Sequence, residues 1–236
     1  MKGYLVSHLK KYFNETLVLK GISFFLPKET ITGILGKNGA GKTTLIKCMT
    51  SFYEDYLGEI LLVNAGDQRR LSINDIAYIP DEPVYYEELT LAEHLKFISA
   101  MNNTQFEVDS LIDRFSLKEY LNKFPHELSK GTLQRMQICL ALLRNGDLII
   151  ADEPFDGLDP LQVQILKNEF LKLKKRGKTL LISSHQVDLI QKICDRFIVI
   201  DSGEVVYESS EDSSSNIESE ENILELFFNL TEEKKS

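Results

Sequence analysis

Gly36-Lys37-Asn38-Gly39-Ala40-Gly41-Lys42-Thr43-Thr44 is the stretch on which the fold turns. It has the full form of a phosphate-binding loop: glycine, four residues, then Gly-Lys-Thr. The apolar run Ile31 to Leu35 before it reads as a strand, and Thr44 to Thr50 after it reads as a helix. Glycines let the backbone curl until successive N–H groups face phosphate oxygens, and the helix N-terminus adds partial positive charge. The segment from Asn38 through Gly39, Ala40 and Gly41 to Thr44 is therefore expected to cradle a nucleotide's phosphates. Lys42 is expected to reach the β- and γ-phosphates, and the Thr43 hydroxyl is placed for Mg2+.

Outward from the loop, short apolar runs recur at Ile76 to Ile79, Leu148 to Ala151, Thr179 to Ile182 and Phe197 to Ile200. Near-continuous apolar strands suit a sheet covered on both faces, and helical patterns lie between them. The fold class is α/β with a mainly parallel sheet. From about Thr90 to Asn145 the alternation stops and only helices are legible, with Leu133, Met136, Leu140 and Leu143 on one helical face. This segment reads as a helical lobe inserted into the α/β core. There are no internal repeats.

Composition narrows the function. In 236 residues, 27 Lys and Arg stand against 36 Asp and Glu, a formal charge of −9. An acidic chain without a basic stripe is poorly suited to bind nucleic acid, and no nucleic-acid partner is expected. Cys48, Cys139 and Cys194 are scattered and fit buried thiols in a reducing cytosol. The N-terminus lacks a signal-peptide core. No run approaches the roughly 18 apolar residues that mark a membrane-spanning helix. Residues 208–221 hold six acidic residues and six serines with no Lys or Arg, and read as a mobile linker. Ile223 to Phe228 then reads as a short amphipathic helix. The expected division is a globular unit over 1–208, a linker over 209–222 and a C-terminal helix and tail over 223–236.

Three further motifs carry chemistry. In Leu148-Ile149-Ile150-Ala151-Asp152-Glu153-Pro154 an apolar strand ends in two carboxylates. Alone it is a strand running into a charged turn. Beside a phosphate loop, Asp152 is expected to hold Mg2+ through its water shell and Glu153 to polarise the attacking water. In Leu128-Ser129-Lys130-Gly131-Thr132, Ser129 reads as an N-cap. His185 follows the strand Thr179 to Ile182 through two serines.

The order of these motifs resembles an ABC-type ATP-binding cassette over about residues 2–208, a phosphate-loop NTPase core with N-terminal antiparallel strands. The resemblance implies ATP and Mg2+ as ligands and His185 as a switch histidine. Phe155 to Pro160 is similar to the D-loop that meets a partner subunit, so Asp159 is expected near nucleotide. Tyr12-Phe13 stands where the family has an aromatic that stacks on adenine, with Phe13 at the commoner spacing. Ser129 and Gly131 of one subunit are expected to close over ATP held by another, a second copy or a homologue.

Two departures stand out. Lys130 and Thr132 replace a Gly and the Gln of the commonest Leu-Ser-Gly-Gly-Gln signature, and Asp81 takes the place of a Gln that contacts Mg2+. A carboxylate still binds a hydrated cation but cannot donate a hydrogen bond. Ile79 to Thr90, Ser129 to Gly131 and Asp152 to Pro160 resemble the ATPase subunits of bacterial ABC-2 and Ecs-type exporters. That resemblance implies a separate integral membrane permease, a location on the cytoplasmic face of the membrane, and export of peptide or similar cargo. By analogy, Asp81 to Phe97 lies near the permease groove; His94 and Tyr85-Tyr86 either line it or have ordinary surface and core roles. The alternative is a soluble or regulatory ABC ATPase not coupled to transport.

Overall fold

The computed structural model describes residues 2–209; the expected linker beyond Ser209 and the C-terminal helix lie outside the described residues. Two sheets form the frame. Strands β1 (Gly3–Phe13), β2 (Thr16–Pro27), β4 (Leu57–Asn64) and β5 (Asp67–Arg70) make an antiparallel sheet in the order β2-β1-β4-β5. Strands β3 (Ile31–Leu35), β6 (Ile76–Ile79), β7 (Leu148–Ala151), β8 (Thr179–Ser184), β9 (Arg196–Asp201) and β10 (Glu204–Glu208) make the second, in the order β10-β9-β3-β8-β7-β6. Its pairs are parallel except the β9–β10 hairpin.

The apolar strands are buried on both faces, and their period-2 alternation sorts them into two cores. Ile31, Leu35, Ile149, Leu180 and Ile182 face one core, shared with the helical lobe. Ile34, Leu148, Ile150 and Leu181 face the other, shared with the antiparallel sheet and the helix α1 (Lys42–Met49). The helix following the phosphate loop is thus clamped between two sheets.

The lobe contains α2 (Leu91–Asn102), α3 (Val108–Arg114) and α4 (Lys130–Leu143), joined by 3-10 turns. Thr90 starts α2 with a reciprocal capping box through Glu93. The apolar face expected on α4 is wider in the structure. Met136 and Leu143 are fully buried, Leu133 and Leu140 only partly, and Ile138, Cys139 and Leu142 are buried too. An inserted helix packed on several sides has no single apolar stripe. Arg114 of α3 reaches the buried Glu169 of α5 (Pro160–Lys175), tying lobe to core at 2.5 Å. After β8 a short helix, α6 (Val187–Gln191), leads to β9.

Ser209, the last described residue, packs against β9. Buried Ser209 accepts from Phe197 N through Oγ (2.9 Å), and its own N–H donates to Phe197 O (2.9 Å). Cys48 and Cys139 are buried and Cys194 half-buried, all as free thiols; burial pushes the Cys48 thiol up to about 11.

Candidate nucleotide site

Parallel strands end at a common edge, and their loops form the site. Leu35 of β3 pairs with Ser184 of β8, and Ala151 of β7 with Ile182 of β8. The register therefore brings the phosphate loop after β3, Asp152-Glu153 after β7 and His185 after β8 into one cluster. β8 runs to Ser184, two residues beyond its apolar stretch. These two serines are structural: Ser183 Oγ accepts from Glu153 N (2.9 Å) and donates to Asp152 Oδ1 (2.5 Å).

A cavity of about 540 Å3 lies against the loop, lined by Phe13, Asn38, Gly39, Gly41, Lys42, Thr43, Thr44, Asp81, Glu153 and His185 among others. Gly39 and Gly41 adopt φ of 81° and 109°, the left-handed region that leaves L-residues strained. Ala40 is buried behind the loop, its N–H donating to Lys37 O (3.1 Å) and its carbonyl accepting from Gly203 N (3.0 Å). Of the two aromatics at the end of β1, Phe13 lines the cavity and Tyr12 does not.

Lys42 Nζ donates to Gly36 O (2.8 Å) and lies 3.5 Å from Glu153 Oε1. The other Glu153 oxygen, Oε2, is 3.0 Å from His185 Nδ1 and accepts from His185 N (3.2 Å). An ionised carboxylate only accepts, so Nδ1 carries the proton. Glu153 itself adopts φ of 45°. A non-glycine residue held in that region costs energy, which its contacts to Lys42, His185 and Ser183 offset.

Thr43, Asp81 and Asp152 share a second cavity of about 320 Å3 next to the first. Asp152 is fully buried, and its Oδ2 has no hydrogen-bond partner among the described residues. A buried, unsatisfied carboxylate oxygen beside a threonine hydroxyl and a second carboxylate is an oxygen-only donor set of the kind Mg2+ takes. Burial raises the Asp81 pKa above the usual carboxylate range. Repulsion from Asp152, Asp156 and Glu153 adds to the shift, and Lys130 opposes it.

The signature residues sit elsewhere. Ser129, Gly131 and Asp159 line a separate cavity of about 220 Å3, with Arg135 and Gly157. Ser129 Oγ caps α4, accepting from Thr132 N at 3.2 Å. Thr132, standing where the family has Gln, is buried, and its hydroxyl pairs with Ser129 Oγ (2.9 Å) and accepts from Arg135 Nη2 (3.0 Å). Asp159 caps α5, accepting from Gln162 N at 2.9 Å. His94 is a buried structural residue: Nε2 accepts from Tyr86 N (3.0 Å), so Nδ1 donates to Thr90 O (2.8 Å). It pins the loop that carries Tyr85 and Tyr86. Sequence reasoning missed Ser183, whose one signal was a hydroxyl at the end of an apolar strand; the two acids it holds lie at the end of another strand, 31 and 30 residues earlier.

A phosphate loop, an acidic strand end and a capped signature helix on a lobe together define an ATP-binding cassette. Residues 19–156, more than half of the chain, match the model of the ABC transporter family. The chain is 36% identical to the ABC-type transporter ATP-binding protein EcsA of Bacillus subtilis, over 85% of its own length and 84% of the relative's. It is 29% identical to the lantibiotic transport ATP-binding protein SrtF of Streptococcus pyogenes, covering 90% and 93%. A solved structure of the ATP-binding subunit of an ABC transporter superposes with a TM-score of 0.86 at 31% identity, covering 98% of this chain and 100% of that one. The chain belongs to the ABC transporter ATP-binding family, and it is an ABC-type ATPase domain.

Proposed function

We propose that the chain binds Mg-ATP at the phosphate loop and hydrolyses it as one half of a dimer, driving a separate membrane permease. The observation that carries this is the Glu153 carboxylate, held between Lys42 Nζ and His185 Nδ1 at the edge of the phosphate-loop cavity. On binding triphosphate, Lys42 exchanges Glu153 for the β- and γ-phosphates. Glu153 then orients a water in line with the γ-phosphorus, and His185 keeps the carboxylate aimed. Attack forms the new P–O bond, the bond to the β-phosphate oxygen breaks, and ADP and phosphate leave. Thr43, Asp152 and Asp81 would hold Mg2+, which when bound neutralises charge across the β- and γ-phosphates.

Ser129 and Gly131 of a second copy supply the remaining contacts to the γ-phosphate. Their separation from the phosphate-loop cavity within one chain supports this composite arrangement. Among the described residues no helix is long and apolar enough to cross a membrane. Phe52, Val84, Tyr86 and Phe97 are large and exposed around the Asp81 loop, a surface suited to an apolar helix of that permease. The relative named for lantibiotic transport supports a peptide-like cargo, and the exporter-like motifs at Ile79 to Thr90 and Asp152 to Pro160 support export.

Glu153→Gln is expected to lower ATP turnover about a thousandfold while retaining ATP binding. Steady-state hydrolysis and nucleotide titration check this, and hydrolysis near the wild-type rate sinks the mechanism.

A further inference from the structure

β1 brings two dissimilar side chains to one place. Phe13 lines the phosphate-loop cavity, and Lys11, two residues earlier, is buried to 2% exposure. A lysine so enclosed needs partners for its charge. Its Nζ donates to Asp55 Oδ1 (2.5 Å) and to Asp55 O (3.2 Å). It also lies 4.8 Å from the Phe13 ring centroid and 5.0 Å from that of Tyr53. The two rings meet edge to face, 5.2 Å apart at 80°. Tyr53 and Asp55 belong to the loop that leaves α1, and Tyr53 N donates to Lys47 O of that helix (3.0 Å). The lysine therefore connects the end of β1 to the helix that begins at Lys42.

The ion pair alone does not account for Lys11. The Asp55 side chain is 80% exposed, and such pairs contribute little to stability. An apolar side chain would fill the same position without burying a charge. What it would lack is a cation against two ring faces, which fixes both rings in place.

We propose that Lys11 is a positioning residue for nucleotide recognition. It holds the Phe13 ring at the cavity as a ready platform for the base, with Asp55 fixing the ammonium. Phe13 is 38% exposed at a strand end, and a ring there without an anchor would have to be ordered on each binding event, at a cost in affinity. The inference rests on reading Phe13 as the surface that stacks on the base.

The test compares a ligand that has a base with one that lacks it. Mg-ATP and Mg-tripolyphosphate are titrated calorimetrically into the full chain and into Lys11→Met, Asp55→Asn, Phe13→Ala and the Lys11→Met/Phe13→Ala double variant. Lys11→Met is expected to weaken ATP about fivefold and Asp55→Asn somewhat less, with tripolyphosphate affinity unchanged in both. In the Phe13→Ala background Lys11→Met should add nothing. Equal losses for ATP and tripolyphosphate would mean general damage to the fold and overturn the proposal. So would unchanged ATP affinity in both single variants while Phe13→Ala weakens ATP. If Phe13→Ala itself leaves ATP affinity intact, the platform reading fails and the role of Lys11 fails with it. Asp55 is on the surface, so Asp55→Asn carries the test should Lys11→Met fail to fold.

Discussion

The phosphate-loop wall and the signature corner are built to different degrees of completion. Around the loop, Glu153 touches both Lys42 and His185, and Ser183 holds the backbone beneath it. Around the signature, the polar groups serve the protein's own framework: Ser129 caps α4, Asp159 caps α5, Thr132 links Ser129 to Arg135, and Arg135 also donates to Phe115 O. The first wall is organised to bind and act on a ligand. The second is a rigid surface held ready for something that its own chain does not bring to it. A single copy should therefore bind nucleotide well and turn it over poorly.

Separating binding from turnover sharpens this contrast most. Lys42→Ala removes the charged donor of the complete wall and is expected to weaken ATP binding about a hundredfold, measured by titration. Gly131→Ala acts on the other wall, where an added Cβ would lie 2.7 Å from Gly157 O. Displacing that carbonyl shifts the turn before α5, so turnover should fall steeply while ATP affinity of the single chain stays the same. Equal effects of the two variants on binding would break the comparison.

A smaller effect is expected at Asp81, the residue in which this chain departs from its family beside the complete wall. Burial and three neighbouring carboxylates raise its pKa. The folded state therefore holds a proton that the unfolded chain has already released, and stability falls as pH rises through that window. Asp81→Asn removes this penalty. Without nucleotide or Mg2+, its melting temperature should exceed wild type by about 2 °C at pH 7, because solvent screens a partly exposed carboxylate. The advantage should vanish below the unfolded carboxylate pKa of about 3.9. A thermal melt series across pH reads both, and an unchanged melting temperature at pH 7 would show that the acidic cluster does not strain the empty site.

The parallel sheet and the complete wall were legible because chemistry dictates their residue types. Apolar strands such as Leu148–Ala151 must be continuous to be buried on both faces, and the loop glycines must reach positive φ. The antiparallel sheet came from family resemblance, because its residues give little away. β5 is Asp67-Gln68-Arg69-Arg70, exposed throughout. β1 breaks its own alternation at His8, where φ is 51° and the register slips between Val6 and Leu9. Lys11 would be placed on the surface by composition alone. Its partners Tyr53 and Asp55 lie 42 and 44 residues later in the chain, and no local pattern encodes those contacts. His94 was read as near a partner groove or as an ordinary core residue, and its two backbone partners decide for the core.

The central claim is that two chains contribute the two walls of one working site. Mixing two full-length variants tests it most directly: Lys42→Ala, defective in the phosphate loop, and Ser129→Arg, defective in the signature. Neither should hydrolyse ATP alone. In a mixed dimer, the intact loop of the Ser129→Arg chain faces the intact signature of the Lys42→Ala chain, so mixing should restore turnover. A mixture as inactive as either parent, under conditions where the chains are shown to associate, would contradict the account.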